Sequence, residues 1–107
     1  MAVKDLVDTT VSDNTIAIFS KTYCPYCQRA KQLLTSKFPN VSTKIVELDE
    51  LEDGSDIQNY LLEKTGQRTV PNIFINKEHV GGCDAVTSLD KNGKLAALVK
   101  ASDASKL

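Results

Sequence analysis

The sequence lacks the features that mark several protein classes. It has no tryptophan, only three tyrosines and three phenylalanines, and a net charge of -1 without a basic run. We therefore expect neither a nucleic-acid partner nor an anionic membrane surface. No apolar stretch approaches the roughly 20 residues that cross a bilayer. Residues 1–5 are not followed by the long apolar run of a secretory signal, which favours a reducing, cytoplasmic location.

Cysteine is also scarce. Three cysteines are an odd number and too few for a disulfide scaffold. A chain of 107 residues, 41% apolar and 25% charged, can form one domain with its own core and needs no such scaffold. We expect a single domain over residues 1–107, in which Cys24 and Cys27 form a redox or metal motif.

The last three residues are Ser105, Lys106 and Leu107. This tripeptide at a C-terminus is the peroxisomal import address. The alternative is a polar tail that ends in this way by chance. We expect a cytoplasmic protein, with the peroxisome as the alternative location.

Helical and extended patterns alternate along the chain. Residues 15–20 are almost wholly apolar, as in a buried central strand. Apolar spacing and turn residues predict helices over residues 3–11, 25–38 and 57–64, from residue 83 or 84, and around residues 95–99. They predict further strands over residues 44–49, 69–75 and 78–80. This order predicts an α/β fold whose four-stranded sheet has a parallel part, an antiparallel hairpin and helices on both faces.

Cys24 and Cys27 lie at the junction of the predicted central strand and a helix that begins near Pro25. Free backbone N–H groups and the positive end of the helix dipole favour an anion there, so Cys24 should be the thiolate. Lys21 would add to this effect. Cys27, inside the helix, should be less exposed and stay protonated. The pattern predicts one attacking and one resolving sulfur.

Three other interpretations compete with the redox pair. A zinc site needs two more ligands, and the candidates Cys83 and His79 lack a paired spacing. A static disulfide does not suit a reducing compartment. Two core cysteines are also possible, but a Pro-Tyr insert at a strand–helix junction makes a poor core segment. The strand–turn–helix context favours the redox pair.

Three segments carry a resemblance to a known family. Residues 21–27 read Lys-Thr-Tyr-Cys-Pro-Tyr-Cys, residues 66–71 read Gly-Gln-Arg-Thr-Val-Pro, and residues 81–84 read Gly-Gly-Cys-Asp. Together they resemble the dithiol glutaredoxins with a Cys-Pro-Tyr-Cys centre, whereas Cys-x-x-Cys alone would fit thioredoxins equally. The resemblance implies a thioredoxin fold and glutathione-dependent reduction of glutathionylated proteins and of disulfides. It makes Cys24 the nucleophile and Cys27 a resolving thiol that deglutathionylation does not need.

The resemblance also implies a glutathione site. Lys21 and Gln58 match family positions that hold the glycine carboxylate, Arg68 lies nearby, and Tyr26 flanks the bound peptide. A solvated surface role is the alternative for Gln58 and Arg68. In the family, the proline of Thr69-Val70-Pro71 is cis and the Val70 backbone pairs with the cysteinyl residue of glutathione, whereas sequence alone favours trans.

The γ-glutamyl end is expected at a helix start. Backbone N–H groups after Gly82, at Cys83 and Asp84, suit its carboxylate. Many relatives carry a second acid after this aspartate, but here the residue is Ala85. Asp84 could then act both as helix cap and as partner of the glutathione amine, or binding at this end could be weaker.

Cys83 and His79 have no catalytic role in this interpretation. We expect Cys83 to be a small residue packed near the glutathione site, with regulatory oxidation or dimerisation as alternatives. We expect His79 to be a surface residue of a strand. The rival functions are an iron–sulfur cluster carrier, which some glutaredoxins are, and a thioredoxin-like reductant served by a reductase. No oligomer interface is evident in the sequence, so a monomer without a metal is expected.

Overall fold

The computed structural model describes residues 2–105, with side-chain surroundings for residues 2–100. Lys106 and Leu107, which complete the expected import signal, lie outside the described residues. The helices and strands are α1 (Val3–Asp13), β1 (Ile16–Ser20), α2 (Pro25–Lys37), β2 (Thr43–Glu47), α3 (Gly54–Thr65), β3 (Asn72–Ile75), β4 (Glu78–Gly81), α4 (Cys83–Lys91) and α5 (Leu95–Ser105).

The four strands form one mixed sheet in the order β2-β1-β3-β4. Strand β1 runs parallel to β2 and antiparallel to β3, and β4 returns antiparallel beside β3. The parallel pair needs a crossover, which α2 supplies, while the hairpin needs only a tight turn. The turn residues Asn76 and Lys77 both have positive φ, at 52° and 70°, as in hairpins whose turn follows the sheet twist. This is the predicted mixed sheet.

Two apolar cores lie on opposite faces of this sheet because successive strand side chains alternate between the faces. Ala17 and Phe19 face α1 and α3, where Phe19 meets Phe74 edge to face at 6.0 Å between ring centroids. Ile16 and Ile18 face α2, α4 and α5. All five residues of β1 are buried, as predicted for a central strand. Helices thus cover both faces, and the thioredoxin fold is confirmed.

Some predicted boundaries differ from the observed ones. Strand β2 ends at Glu47 and is followed by a single 3-10 turn over Leu48–Glu50. Helix α3 begins at Gly54, three residues before the predicted start. A Cβ atom at residue 54 would lie 2.1 Å from the Leu48 carbonyl oxygen, so glycine lets the first turn of α3 pack on the 3-10 turn. Gly66 ends α3 in the left-handed conformation, φ 81°, as predicted.

Candidate functional site

Cys24 caps the N-terminus of α2. Its backbone is extended, with φ -89° and ψ 117°, and Pro25 takes the first helical position. The Cys24 Sγ atom accepts a hydrogen bond from the backbone N–H of Cys27 at 3.3 Å. The sulfur therefore occupies the place that an oxygen acceptor fills in most N-caps, and the predicted position of Cys24 at the helix start is confirmed.

Cys27 lies one turn into α2 and is fully buried. Burial, followed by the hydrogen bond with the Cys24 sulfur, raises the pKa of the Cys27 thiol to about 11. Cys27 therefore keeps its proton at neutral pH. The structure confirms the predicted inequality of burial between the two cysteines, since Cys24 is partly exposed.

A carboxylate outside the motif holds the turn that precedes Cys24. Asp49, in the 3-10 turn after β2, accepts the Thr22 backbone N–H at 3.0 Å with one oxygen and the Thr22 hydroxyl with the other. The hydroxyl and then the backbone N–H hold the pKa of Asp49 below its usual value. Within the turn, the Cys24 N–H donates to the Lys21 carbonyl at 3.1 Å. Sequence reasoning missed Asp49 because the contact spans 27 residues.

The bond between Val70 and Pro71 is cis, as the family resemblance implied. The Val70 carbonyl oxygen lies 3.9 Å from the Cys24 sulfur. Two segments that are 46 residues apart in sequence therefore meet at the Cys24 sulfur.

An open cleft of about 510 Å³ extends from these two segments to the start of α4. Seven of the ten residues predicted to bind glutathione line it. The lining residues are Tyr26, Gln67, Thr69, Val70, Pro71, Gly81, Gly82, Cys83, Asp84 and Ala85. Most of the predicted set thus shares one surface, and this surface begins beside Cys24.

Lys21, Gln58 and Arg68 are the predicted residues outside that lining. Gln58 is only 6% exposed, and its side-chain nitrogen donates to the Arg68 carbonyl at 3.0 Å. The solvated surface role considered for Gln58 is therefore wrong, because the side chain lies under the Arg68 backbone and supports it. Arg68 is exposed, and its guanidinium donates to Asn59 at 3.1 Å.

The far end of the cleft is the N-terminus of α4. Gly82 is the N-cap, so the possible role of Asp84 as the cap of this helix is ruled out; Asp84 lies in the first turn and is exposed. Gly81 has φ +125°, and a Cβ atom there would lie 3.2 Å from the Ala85 methyl group. The first-turn N–H groups of α4, the Asp84 carboxylate and the Ala85 methyl group form this end, and N–H groups at a helix start can bind an anion.

Cys83 and His79 make separate contacts. The Cys83 sulfur lies 3.9 Å from the Thr87 hydroxyl and lines the cleft. His79 Nε2 lies 2.9 Å from the Asn72 side-chain oxygen, and burial lowers the pKa of His79. His79 is thus half-buried and paired, which corrects its assignment as a surface residue.

Two features are absent from the described residues. Within the part of the chain that the structure describes, no three His, Cys, Asp or Glu side chains are grouped as metal ligands. None of the helices described there is long and apolar enough to span a bilayer.

The chain was compared with known proteins. The family model described as Glutaredoxin matches residues 16–80. A glutaredoxin of Vernicia fordii is 53% identical over 89 residues, which cover 83% of this chain and 84% of that one. Glutaredoxin-C1 of Arabidopsis thaliana is 54% identical over 89 residues, covering 83% of this chain and 70% of that one.

Solved structures give the same result. The holo form of glutaredoxin C1 from Populus tremula x tremuloides superposes with a TM-score of 0.85 at 44% identity, covering 94% of this chain and 97% of that one. A buckwheat glutaredoxin–glutathione complex superposes with a TM-score of 0.85 at 42% identity, covering 92% and 87%.

Proposed function

Because the chain belongs to the glutaredoxin family, we propose that it is a glutathione-dependent thiol–disulfide oxidoreductase that reduces glutathionylated proteins and small or protein disulfides. One observation carries the proposal. The Cys24 sulfur caps α2, with the Cys27 N–H at 3.3 Å, and lies 3.9 Å from the Val70 carbonyl at the end of an open cleft.

Cys24 is the nucleophile. Its thiolate attacks the glutathione sulfur of a mixed disulfide; the new bond joins Cys24 to glutathione, and the substrate leaves as a thiolate that takes a proton from water. A second glutathione thiolate then attacks the glutathione sulfur bound to Cys24. Glutathione disulfide leaves, and the Cys24 thiolate returns. One free glutathione is consumed for each mixed disulfide reduced, and the other half of the glutathione disulfide comes from the substrate.

Cys27 acts only when Cys24 is bonded to a protein. Its buried thiol keeps a proton at neutral pH, so it competes poorly with free glutathione at the Cys24 sulfur. Its position one turn behind Cys24 lets it displace a slowly leaving protein. The oxidised form would then hold a bond between Cys24 and Cys27.

Glutathione lies along the cleft in this proposal. Its cysteinyl residue pairs with the Val70 backbone, and its γ-glutamyl carboxylate meets the N–H groups of the first turn of α4. Lys21 and Arg68 lie outside the lining of the cleft, but each is close in sequence to residues that line it, and we assign the glycine carboxylate to these two cations.

A coupled assay tests the proposal. It contains glutathione, glutathione reductase, NADPH and a glutathionylated peptide, and compares wild type with Cys24→Ser and Cys27→Ser. We expect Cys24→Ser to be inactive and Cys27→Ser to remain active. Turnover by Cys24→Ser, or none by Cys27→Ser, would contradict the assigned roles.

The same preparations separate the rival functions. A thioredoxin-like reductant would accept electrons from thioredoxin reductase and ignore glutathione. A cluster carrier would turn brown and absorb visible light after anaerobic reconstitution with iron, sulfide and glutathione.

A further inference from the structure

Gln67 lies in the connection between α3 and β3 and makes two side-chain hydrogen bonds to the backbone of this connection. Its side-chain nitrogen donates to the Thr69 carbonyl and to the Pro71 carbonyl, each at 3.0 Å. An amide nitrogen carries two hydrogens, so each carbonyl can take one. Gln67 thus bridges the two carbonyls on either side of Val70.

These contacts fix the direction of the Val70 backbone. The Thr69 carbonyl and the Val70 N–H belong to one planar peptide and point in opposite directions. A Thr69 carbonyl held toward Gln67 therefore turns the Val70 N–H away from Gln67. Within the part of the chain that is described, this N–H donates to no other protein atom, so it is free to meet a peptide in the cleft.

Gln67 is itself held by its backbone. Its N–H donates to the Thr65 hydroxyl at 3.0 Å, and its carbonyl accepts the side-chain nitrogen of Asn72 at 3.2 Å. Asn72 is fully buried, and its side-chain oxygen faces His79 Nε2 at 2.9 Å. The backbone of Gln67 is therefore held in place, so its side chain can fix the neighbouring segment from Thr69 to Pro71.

We propose that Gln67 is a positioning residue, which holds the Val70 backbone in the orientation that pairs with the peptide part of a glutathione mixed disulfide. This inference rests on the function proposed above. Gln67 acts through Thr69 and Pro71 and has no contact with the reacting sulfur. It should therefore affect disulfides that carry glutathione and spare those that carry no peptide.

Two variants remove the donors and keep the length of the side chain. Gln67→Met is uncharged, and Gln67→Glu adds a carboxylate. Gln32→Met is the matched control, since Gln32 lies on the exposed face of α2. All three are prepared in a Cys27→Ser background, so that only the first attack by Cys24 is followed.

The measurement is the single-turnover rate of Cys24 with a glutathionylated peptide and with bis(2-hydroxyethyl) disulfide. The ratio of these two rates gives the preference for glutathione. We expect both Gln67 variants to lose about tenfold in this preference, the scale of effect that follows when a reacting group is slightly misplaced. The rate with the small disulfide and the behaviour of Gln32→Met should stay at the wild-type level.

Several results would overturn the proposal. A wild-type preference in Gln67→Met would show that the donors do not matter, and a loss in Gln67→Glu alone would assign the effect to charge. An equal loss with both disulfides, together with a lower unfolding temperature, would indicate a general structural role.

A spectroscopic readout distinguishes a failure of the Gln67 proposal from a failure of the proposed glutathione-dependent function. In the ¹⁵N–¹H spectrum, we expect the Val70 and Asn72 signals to move in Gln67→Met and to stay in place in Gln32→Met. A wild type without a preference for glutathione would contradict the proposed function. The Val70 signal would then decide by itself whether Gln67 fixes this backbone, and an unmoved signal would rule that out.

Discussion

The backbone N–H of Cys27 points at the sulfur of Cys24 from 3.3 Å. The helical turn that delivers this N–H also carries the Cys27 side chain into the core, where it is fully buried. One turn of α2 thus gives the two cysteines different surroundings. The proposed division into an attacking and a resolving thiol rests on this difference in surroundings.

Alkylation should show that difference. Since burial raises the pKa of Cys27 to about 11, about one thiol in a thousand is ionised at pH 8. In Cys24→Ser, where burial still raises the pKa of Cys27, labelling of the Cys27 peptide by iodoacetamide, followed by mass spectrometry, should keep rising about tenfold per pH unit beyond pH 9. A rate that levels off near pH 9, as for an ordinary cysteine, would contradict the raised pKa.

Asp49→Ala should lower both activity and stability. It removes the acceptors for Thr22 and frees the turn before Cys24, so we expect a lower kcat/KM with the glutathionylated peptide. Because its folded-state pKa is lowered, ionised Asp49 stabilises the fold above the usual pKa of about 3.9, and this contribution is lost as pH falls through the folded pKa.

The test is urea unfolding of wild type and Asp49→Ala between pH 7 and pH 3. The difference in free energy of unfolding should shrink as the pH falls below 4. Glu50→Ala, an exposed carboxylate one residue further on, is the control and should match wild type. A difference that stays constant with pH would argue against the ionised pair.

Asp84→Ala should raise the KM for glutathione about threefold and leave kcat unchanged, which is the scale of an exposed charge contact. The residue lines the far end of the cleft, where it can accept the glutathione amine. Ala85→Asp should change the KM in the opposite direction, since it adds a second acid at the end of the cleft proposed to hold the amine. An unchanged KM in Asp84→Ala would count against its role.

Gly54→Ala should destabilise the protein by about 2 kcal/mol or more, as overpacking does. The added methyl group would meet the Leu48 carbonyl oxygen at 2.1 Å, and backbone cannot move aside cheaply. Gly66→Ala is the comparison: its methyl group would find open space, but φ is +81°, so the cost should be about 1 kcal/mol. Urea unfolding that gives equal losses would refute the clash.

Local patterns were enough to place much of the site. Pro25 after Cys24 predicted the helix start, and the apolar run over residues 15–20 predicted the central strand; both are short-range signals that tertiary contacts reinforce. The start of α4 was predicted less well. Asp84 was considered as its helix cap, but Gly82 is the N-cap and Asp84 lies in the first turn.

Side-chain partners could not be predicted in the same way. Gln58 is polar and lies in an amphipathic helix, so its burial is visible only when the Arg68 carbonyl is folded above it. Asp49 and Thr22 meet because β2 and β1 end side by side, a consequence of strand register. Gln67 lies in the segment over residues 66–71 that carries the family resemblance. The sequence does not show which backbone carbonyls its side chain binds.

The strand order has a consequence for how the protein behaves at high concentration. The two outer strands are short: β2 has five residues with exposed Lys44, and β4 has four, with exposed Glu78 and an irregularity in its pairing with β3. Edge strands that are short, charged or irregular are poor templates for pairing with a strand of another chain. The sheet should therefore resist edge-to-edge aggregation, although the molecule has a partly exposed cysteine, Cys24, and two exposed tyrosines, Tyr23 and Tyr26, at its surface.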